Sequence, residues 1–145
     1  QHGSPLGKKQ LIQDHIAKIA VAIESSKWLT YRAAHARQRL HNYVETIKIK
    51  NSNWQSKLTR ANTDYSVLRA QADRLAAIAK FHASNAAFNA ANSSVQIFGS
   101  YGYQKNSRVA RHFLDSRATT IYEGANEVLK LKIAADILGR DFKSY

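Results

Sequence analysis

Residues 70–91 read AQADRLAAIAKFHASNAAFNAA, and this alanine-rich stretch decides the fold class. Ten of its residues are alanine, the strongest helix former, whose small side chain also lets neighbouring helices pack closely. Asn62 or Thr63 can cap the start of this helix, and Gly99 can end it in a left-handed conformation. Larger apolar contacts are expected from Leu68, Leu75, Ile78, Val95 and Phe98.

A second long helix is predicted upstream, from about residue 8 to about residue 41. Its signal is a helical stripe in which apolar residues recur every three or four positions: Ile12, Ile16, Ile19, Ile23. Residues 1–7 form a lead-in that contains Gly3, Pro5 and Gly7, which are unfavourable inside a helix. Residues 42–62 remain open between helix and short strand, with a turn signal at residues 51–53.

The C-terminal third predicts two shorter helices. A turn rich in Gly and Tyr at 99–106 precedes a helix near 107–115 that Ser107 can cap. Asn126 can cap the last helix, whose apolar face is predicted to be Val128, Leu131, Ala134, Ala135 and Leu138, and which ends at Gly139. The expected fold is all-α: a single-domain antiparallel helical bundle over 1–145, with one side open as if a first helix were missing.

Composition narrows the function classes. The chain has no Cys, which excludes disulfides, thiolate metal sites and cysteine nucleophiles. The formal net charge of +12 raises the question of a polyanionic partner. No apolar run is long enough to span a membrane and the start does not resemble a signal peptide, so a cytoplasmic protein is expected, or one of an organelle matrix in a eukaryote.

The candidate chemistry is sparse. The histidines have no metal-ligand spacing, and the two-glycine segment 99–103 lacks the lysine of a phosphate loop. Ile121-Tyr122-Glu123-Gly124 puts one carboxylate at the end of an apolar run, where it can act as a proton acceptor or be only structural. Basic residues with interleaved aromatics suit nucleic acid, but equally a solvated face or an acidic partner; they are Lys48, Lys50, Lys57, Arg60, Arg69, Arg74 and Lys80, with Tyr43, Trp54 and Tyr65.

Three sequence blocks together resemble the C-terminal helical domain of acyl-CoA dehydrogenases. Residues 96–103 read QIFGSYGY and residues 115–127 read DSRATTIYEGANE, similar to the family's QIFGGYGY and RDARVTTIYEGTSEI. The start, with GSPL at 3–6 and QLIQ at 10–13, is similar to the family's RxQFGxPLxxxQxIQ. The resemblance covers about 1–40 and 69–139, and it leaves 41–68 as a basic insertion within the domain.

The resemblance implies an FAD-dependent oxidation of an acyl-CoA thioester to its 2,3-enoyl-CoA. Glu123 matches the glutamate that removes the α-proton, while Tyr122 and Gly124 match positions beside the acyl chain and thioester. The FAD-contacting positions of the family fall on Gln10, Gln96, Ile97, Phe98, Gly99, Ser100, Ala125, Asn126 and Glu127. Ser100 replaces a glycine and Ala125 a threonine of the family pattern, which weakens the expectation that this chain alone binds FAD.

The resemblance also implies partners. Whole enzymes of the family carry further domains that complete the flavin and substrate site, so we expect this chain to act with those domains or a partner subunit, in a dimer or tetramer, and to be inactive alone. Nucleic acid is not the expected partner. The alternative is a non-catalytic module on the same fold that binds nucleic acid or a protein partner through its basic region. A purely structural role for that region, docking on an acidic subunit, is a third hypothesis.

Overall fold

The computed structural model describes residues 3–59, 62–139 and 142, and these are helical with no strand among them. Over these ranges a 3₁₀ turn, Leu6–Lys8, precedes six helices. The long ones are α1, Gln10–Lys50, and α3, Thr63–Phe98; the shorter ones are α2, Trp54–Lys57, α4, Ser100–Tyr103, α5, Arg108–Thr119, and α6, Asn126–Leu138. The predicted all-α class is therefore confirmed.

The chain forms two compact units, and the two long helices contribute to both. The first unit comprises Gln1–Lys27 and Phe81–Asn126, and the second comprises Trp28–Lys80 and Glu127–Tyr145. Within the described ranges no helix is both long and apolar enough to cross a membrane.

In the second unit α1 and α3 run antiparallel. The Tyr43 hydroxyl donates to Asn62 Oδ1 over 3.1 Å, while Arg37 pairs with Asp73 at 3.5 Å, so residue numbers rise on one helix as they fall on the other. Between them lies a small core of Ala36, Leu40, Ala72 and Leu75, flanked by Ala33, Val44, Tyr65 and Leu68. The alanines allow the close approach of the helices that the sequence predicts.

The start of α3 is capped as predicted. Asn62 Oδ1 accepts the backbone N–H of Tyr65 at 3.0 Å, which satisfies a donor that the first helical turn leaves open. Later in the second unit, Arg74 on α3 binds Asp136 on α6 at 2.7 Å. This ion pair ties the last helix to the alanine-rich helix.

In the first unit, α5 packs on α3 through aromatic contacts. The rings of Phe88 and Phe113 lie 5.4 Å apart, and the Arg117 guanidinium lies 6.0 Å from the centre of the Phe88 ring. Ser107, 3% exposed, caps α5 by accepting the N–H of Ala110 at 3.0 Å, as the sequence predicts.

Three predicted helix boundaries or faces need correction. Helix α1 continues to Lys50 rather than ending near residue 41, because residues 42–50 pack and bond as helix, with Val44 against the core. Helix α5 reaches Thr119 rather than residue 115. The predicted apolar face of α6 is wrong except for buried Ala135. The other four predicted positions, Val128, Leu131, Ala134 and Leu138, are exposed, and the half-buried positions are Leu129 and Ile133.

The isoleucine stripe of α1 is only partly covered. Ile12 and Ile19 are half-buried, whereas Ile16 and Ile23 are 52% and 55% exposed. Residues 41–68 contain the end of α1, all of α2 and the start of α3; that they are an insertion stays a prediction. Arg60 lies outside the described residues.

Candidate functional site

The segment between α5 and α6 is a tight loop whose two ends are joined by a backbone hydrogen bond. The N–H of Asn126 donates to the carbonyl of Thr120 at 3.0 Å. On the entry side, the N–H groups of Ile121 and Tyr122 donate to the Ala118 carbonyl at 2.9 and 3.2 Å, which extends the last turn of α5. Residues 121–125 therefore project from a fixed base.

The base of this loop is buried. Thr120 and Asn126 are 9% and 3% exposed. The Ser84 hydroxyl, on α3, donates to Asn126 Oδ1 at 3.0 Å, and Ser84 is itself 6% exposed. A side-chain contact from another helix thus reinforces the backbone closure of the loop.

Glu123 occupies the tip of the loop in an unusual backbone conformation. Its φ is +53°, the one positive φ outside glycine among the described residues, and Gly124 follows at +94°. A left-handed conformation costs a residue with a side chain about 1–2 kcal/mol. The Glu123 carboxylate is exposed, and so are its apolar neighbours Ile121 and Tyr122, at 59% and 55%. The loop thus presents a carboxylate and two apolar side chains outward together.

A second predicted segment lies at the end of α3 in the same unit. Gly99 ends the helix with φ +58°, and a Cβ built there meets nothing within 4 Å. Gln96, Phe98 and Ser100 are exposed, whereas Ile97 is half-buried. This segment is therefore open to a ligand or partner from outside.

Helix α4 is held tightly against the end of α3. Gly102 is buried, and a Cβ there would lie 2.9 Å from the Val95 carbonyl oxygen and 3.0 Å from Phe98 Cβ. The rings of Phe98 and Tyr101 lie 6.1 Å apart on the exposed side. The second glycine of the QIFGSYGY block is thus required by close packing.

The remaining predicted site residues lie in different surroundings. Gln10, at the start of α1, is exposed, Ala125 is half-buried, and exposed Glu127 pairs with Lys130 at 3.9 Å. Asn126 is buried in the loop base, so its predicted contact with a cofactor stays a prediction. The sequence analysis missed the contact between Ser84 and Asn126. Ser84 lies in an alanine-rich helix, where a serine looks like any other small residue.

The basic region contains several internal ion pairs. Asp73 pairs with Arg37 and with Arg69, the latter at 3.8 Å, and Arg74 pairs with Asp136. The Lys48 ammonium lies 5.0 Å from the centre of the Trp54 ring, where a nucleobase would stack. Because these basic side chains already pair with acidic or aromatic neighbours, the contacts favour a solvated helix face. They argue against a surface that is open to bind phosphates.

The described residues contain no cluster of three or more His, Cys, Asp or Glu side chains that could hold a metal ion. A half-open cleft of about 480 Å³ lies between α1 and α3 in the first unit, and no predicted site residue lines it. Its polar lining consists of Lys18, His82, Asn85, Asn89, Asn92 and Ser93.

Comparison with known proteins gives one consistent result. The family model "Acyl-CoA dehydrogenase, C-terminal domain" matches residues 1–64 and 64–138. The cyclohexane-1-carbonyl-CoA dehydrogenase of Geobacter metallireducens is 34% identical over 94% of this chain and 28% of its own length. The human mitochondrial short-chain specific acyl-CoA dehydrogenase is 32% identical over 98% of this chain and 27% of its own length. The glutaryl-CoA dehydrogenase of Desulfococcus multivorans is 31% identical over 96% and 28%, respectively. The chain thus spans little more than a quarter of these relatives.

Proposed function

Because the chain belongs to the acyl-CoA dehydrogenase family, as its C-terminal helical domain, we propose that it supplies the catalytic base for 2,3-desaturation of an acyl-CoA thioester. The base is Glu123, whose carboxylate takes a proton from the carbon next to the thioester carbonyl. The relatives above, which are named as dehydrogenases of acyl-CoA substrates, support this assignment.

The observation that carries the proposal is the conformation of Glu123 within its loop. A left-handed glutamate is unfavourable, and such conformations persist where the surrounding structure fixes them, often at functional sites. Here the Thr120–Asn126 hydrogen bond fixes the loop ends while the Glu123 carboxylate remains exposed. Across residues 3–59, 62–139 and 142 no ion pair engages this carboxylate, so an exposed acid on a fixed base is suited to meet a substrate.

The chemistry explains why exposed apolar residues accompany the acid. An α-proton of a thioester is weakly acidic, so its removal requires a base that is shielded from water when the substrate is bound. Ile121 and Tyr122 are exposed beside Glu123 and would be covered by the acyl chain or by the rest of the enzyme. Gly124 lacks a side chain next to the carboxylate and lets the thioester approach the backbone.

The residues at the end of α3 fit a cofactor that approaches from outside the domain. Gly99 has open space on its Cβ side, and exposed Gln96 and Ser100 offer polar atoms. We propose that residues 96–100 and 125–127, with Gln10, contact FAD in the assembled enzyme. When bound, FAD would supply the acceptor for the hydride that leaves the β-carbon.

We expect the whole reaction to need more than these 145 residues, since the chain covers only 28% and 27% of the length of the Geobacter and human relatives. We propose that the domain acts with the remaining dehydrogenase domains, or with a partner subunit, in an oligomer. We expect the 145-residue chain alone to show no acyl-CoA oxidation.

The test is Glu123→Gln in the complete dehydrogenase that carries this domain, assayed by acyl-CoA-dependent dye reduction. Loss of a general base predicts a fall of roughly 100-fold to 10,000-fold in turnover. Glu24→Gln is the matched control, because Glu24 is an exposed glutamate of the same unit that pairs only with Lys27 among the described contacts. Normal turnover in Glu123→Gln would reject the proposal.

A further inference from the structure

We propose that Ser84 is a positioning residue for Glu123 and acts through Asn126. The inference rests on the proposed role of Glu123 but concerns a different helix. Of the two groups within hydrogen-bond distance of the Ser84 hydroxyl, the Phe81 carbonyl and Asn126 Oδ1, Asn126 is the predicted site residue.

The geometry forms a short chain of contacts from α3 to the loop. Ser84 Oγ lies 3.0 Å from Asn126 Oδ1, and the N–H of Asn126 donates to the Thr120 carbonyl at 3.0 Å. Glu123 lies midway along the loop that this backbone bond closes. The side chain of Asn126 is therefore held by Ser84 while its main chain holds the loop.

Burial makes this contact stronger than a surface hydrogen bond. Ser84 and Asn126 are 6% and 3% exposed, so water cannot readily replace either partner. A buried polar group that loses its partner retains its desolvation cost, and the surrounding backbone shifts to relieve it. Asn126 forms one end of the loop that carries the left-handed Glu123, so a shift of Asn126 would displace Glu123.

Ser84 differs in this respect from another serine of the same helix. Ser94 Oγ donates to the Ala90 carbonyl at 2.8 Å, a contact within its own helix. Ser84 also lies 3.2 Å from the Phe81 carbonyl, but its bond to Asn126 crosses 42 positions of sequence. Ser94, which is half-buried, is therefore the control for removing a hydroxyl of the same helix that bonds within that helix.

The experiment compares Ser84→Ala, Ser84→Thr and Ser94→Ala in the complete dehydrogenase. Turnover, KM for acyl-CoA and the deuterium isotope effect at the α-carbon are measured for each. We expect Ser84→Ala to lower kcat by about tenfold to 100-fold with KM nearly unchanged, because misplacing a reacting group costs up to about 100-fold. In Ser84→Ala the α-carbon deuterium isotope effect should rise, because proton removal then limits turnover to a greater extent. Ser84→Thr, which keeps the hydroxyl, should recover most of the rate, and Ser94→Ala should match the unmodified enzyme.

Each outcome supports or overturns the positioning role of Ser84. A fall in rate with an unchanged isotope effect would mean that Ser84 supports only the amount of folded enzyme, and it would overturn the inference. Normal kinetics in Ser84→Ala would do the same. If Glu123→Gln is inactive while Ser84→Ala is normal, only the positioning role fails; if Glu123→Gln is active, the proposed function fails first.

Discussion

The backbone N–H of Asn126 donates to the carbonyl of Thr120 across 3.0 Å, and this bond closes the loop that presents Glu123. Both residues are buried, whereas Glu123 is exposed. The loop thus combines a fixed base with an outward-facing acid, an arrangement that fits the role proposed for Glu123.

The core of the second unit should be sensitive to loss of volume. Leu40 is 8% exposed within a small cluster, so Leu40→Ala leaves a cavity that few neighbours can fill. We expect urea unfolding of the 145-residue chain to give a loss of about 2–5 kcal/mol. Leu11→Ala is the control, because Leu11 is 80% exposed; equal losses in both variants would contradict the described core.

The Ser107 hydroxyl should stabilise the junction of α4 and α5. It accepts the Ala110 N–H at 3.0 Å and donates to the Gly102 carbonyl at 3.2 Å. Ser107→Ala removes both bonds and should cost about 1–3 kcal/mol in urea unfolding. Ser116→Ala, which removes a bond within α5 only, should stay within about 0.5 kcal/mol; a Ser107→Ala effect as small as this would refute the cap.

Gly102 should not tolerate a methyl group. Its Cβ would lie 2.9 Å from a backbone oxygen of Val95, which cannot move away as a flexible side chain could. Overpacking of this kind predicts a loss of about 1–3 kcal/mol for Gly102→Ala in thermal or urea unfolding. Gly7→Ala, where nothing lies within 4 Å, should be nearly neutral, and a neutral Gly102→Ala would show that α4 packs differently.

Glu45 should give a small stability contribution that depends on pH. Lys48 donates a hydrogen bond to its carboxylate at 2.8 Å, and this contact, with the charges of Lys48 and His41, holds the pKa of Glu45 below its ordinary 4.5. A lowered folded-state pKa stabilises the fold above the unfolded-state value, and the contribution is lost as pH falls through the folded-state value.

The measurement for Glu45 is the difference in Tm between the unmodified chain and Glu45→Gln across a pH series. The difference should be present at neutral pH and vanish below the lowered pKa. In a Lys48→Gln background the two chains should differ little at any pH. A difference that grows as pH falls would have the wrong sign for this ion pair.

Sequence reasoning succeeded where the signal is local. Backbone preferences explain the helix-forming alanines, the caps at Asn62 and Ser107, and the helix ends at Gly99 and Gly139. These local signals predict the helix order and most helix boundaries. It failed on α1, because residues 42–50 have β-branched residues that fit strand or helix, and packing of Val44 on the core decides between them.

The site was predictable only in part, for a similar reason. The motif around Glu123 predicts this residue as the base, and that stays a prediction. Its left-handed backbone and exposed position depend on the closure of the loop, which the motif does not indicate. The Ser84–Asn126 contact spans 42 positions, and no local pattern in an alanine run indicates such a long-range bond. The exposed faces of α1 and α6 likewise depend on the tertiary arrangement, which periodicity alone cannot determine.

The most direct test of the central claim follows the proton itself. An acyl-CoA deuterated at the α-carbon is mixed with the complete dehydrogenase, and release of deuterium to water is measured in a single turnover. We predict rapid release by the unmodified enzyme and by Glu24→Gln, and release slowed by roughly 100-fold to 10,000-fold in Glu123→Gln. Release at the unmodified rate in Glu123→Gln would contradict the account, because another group would then have removed the proton.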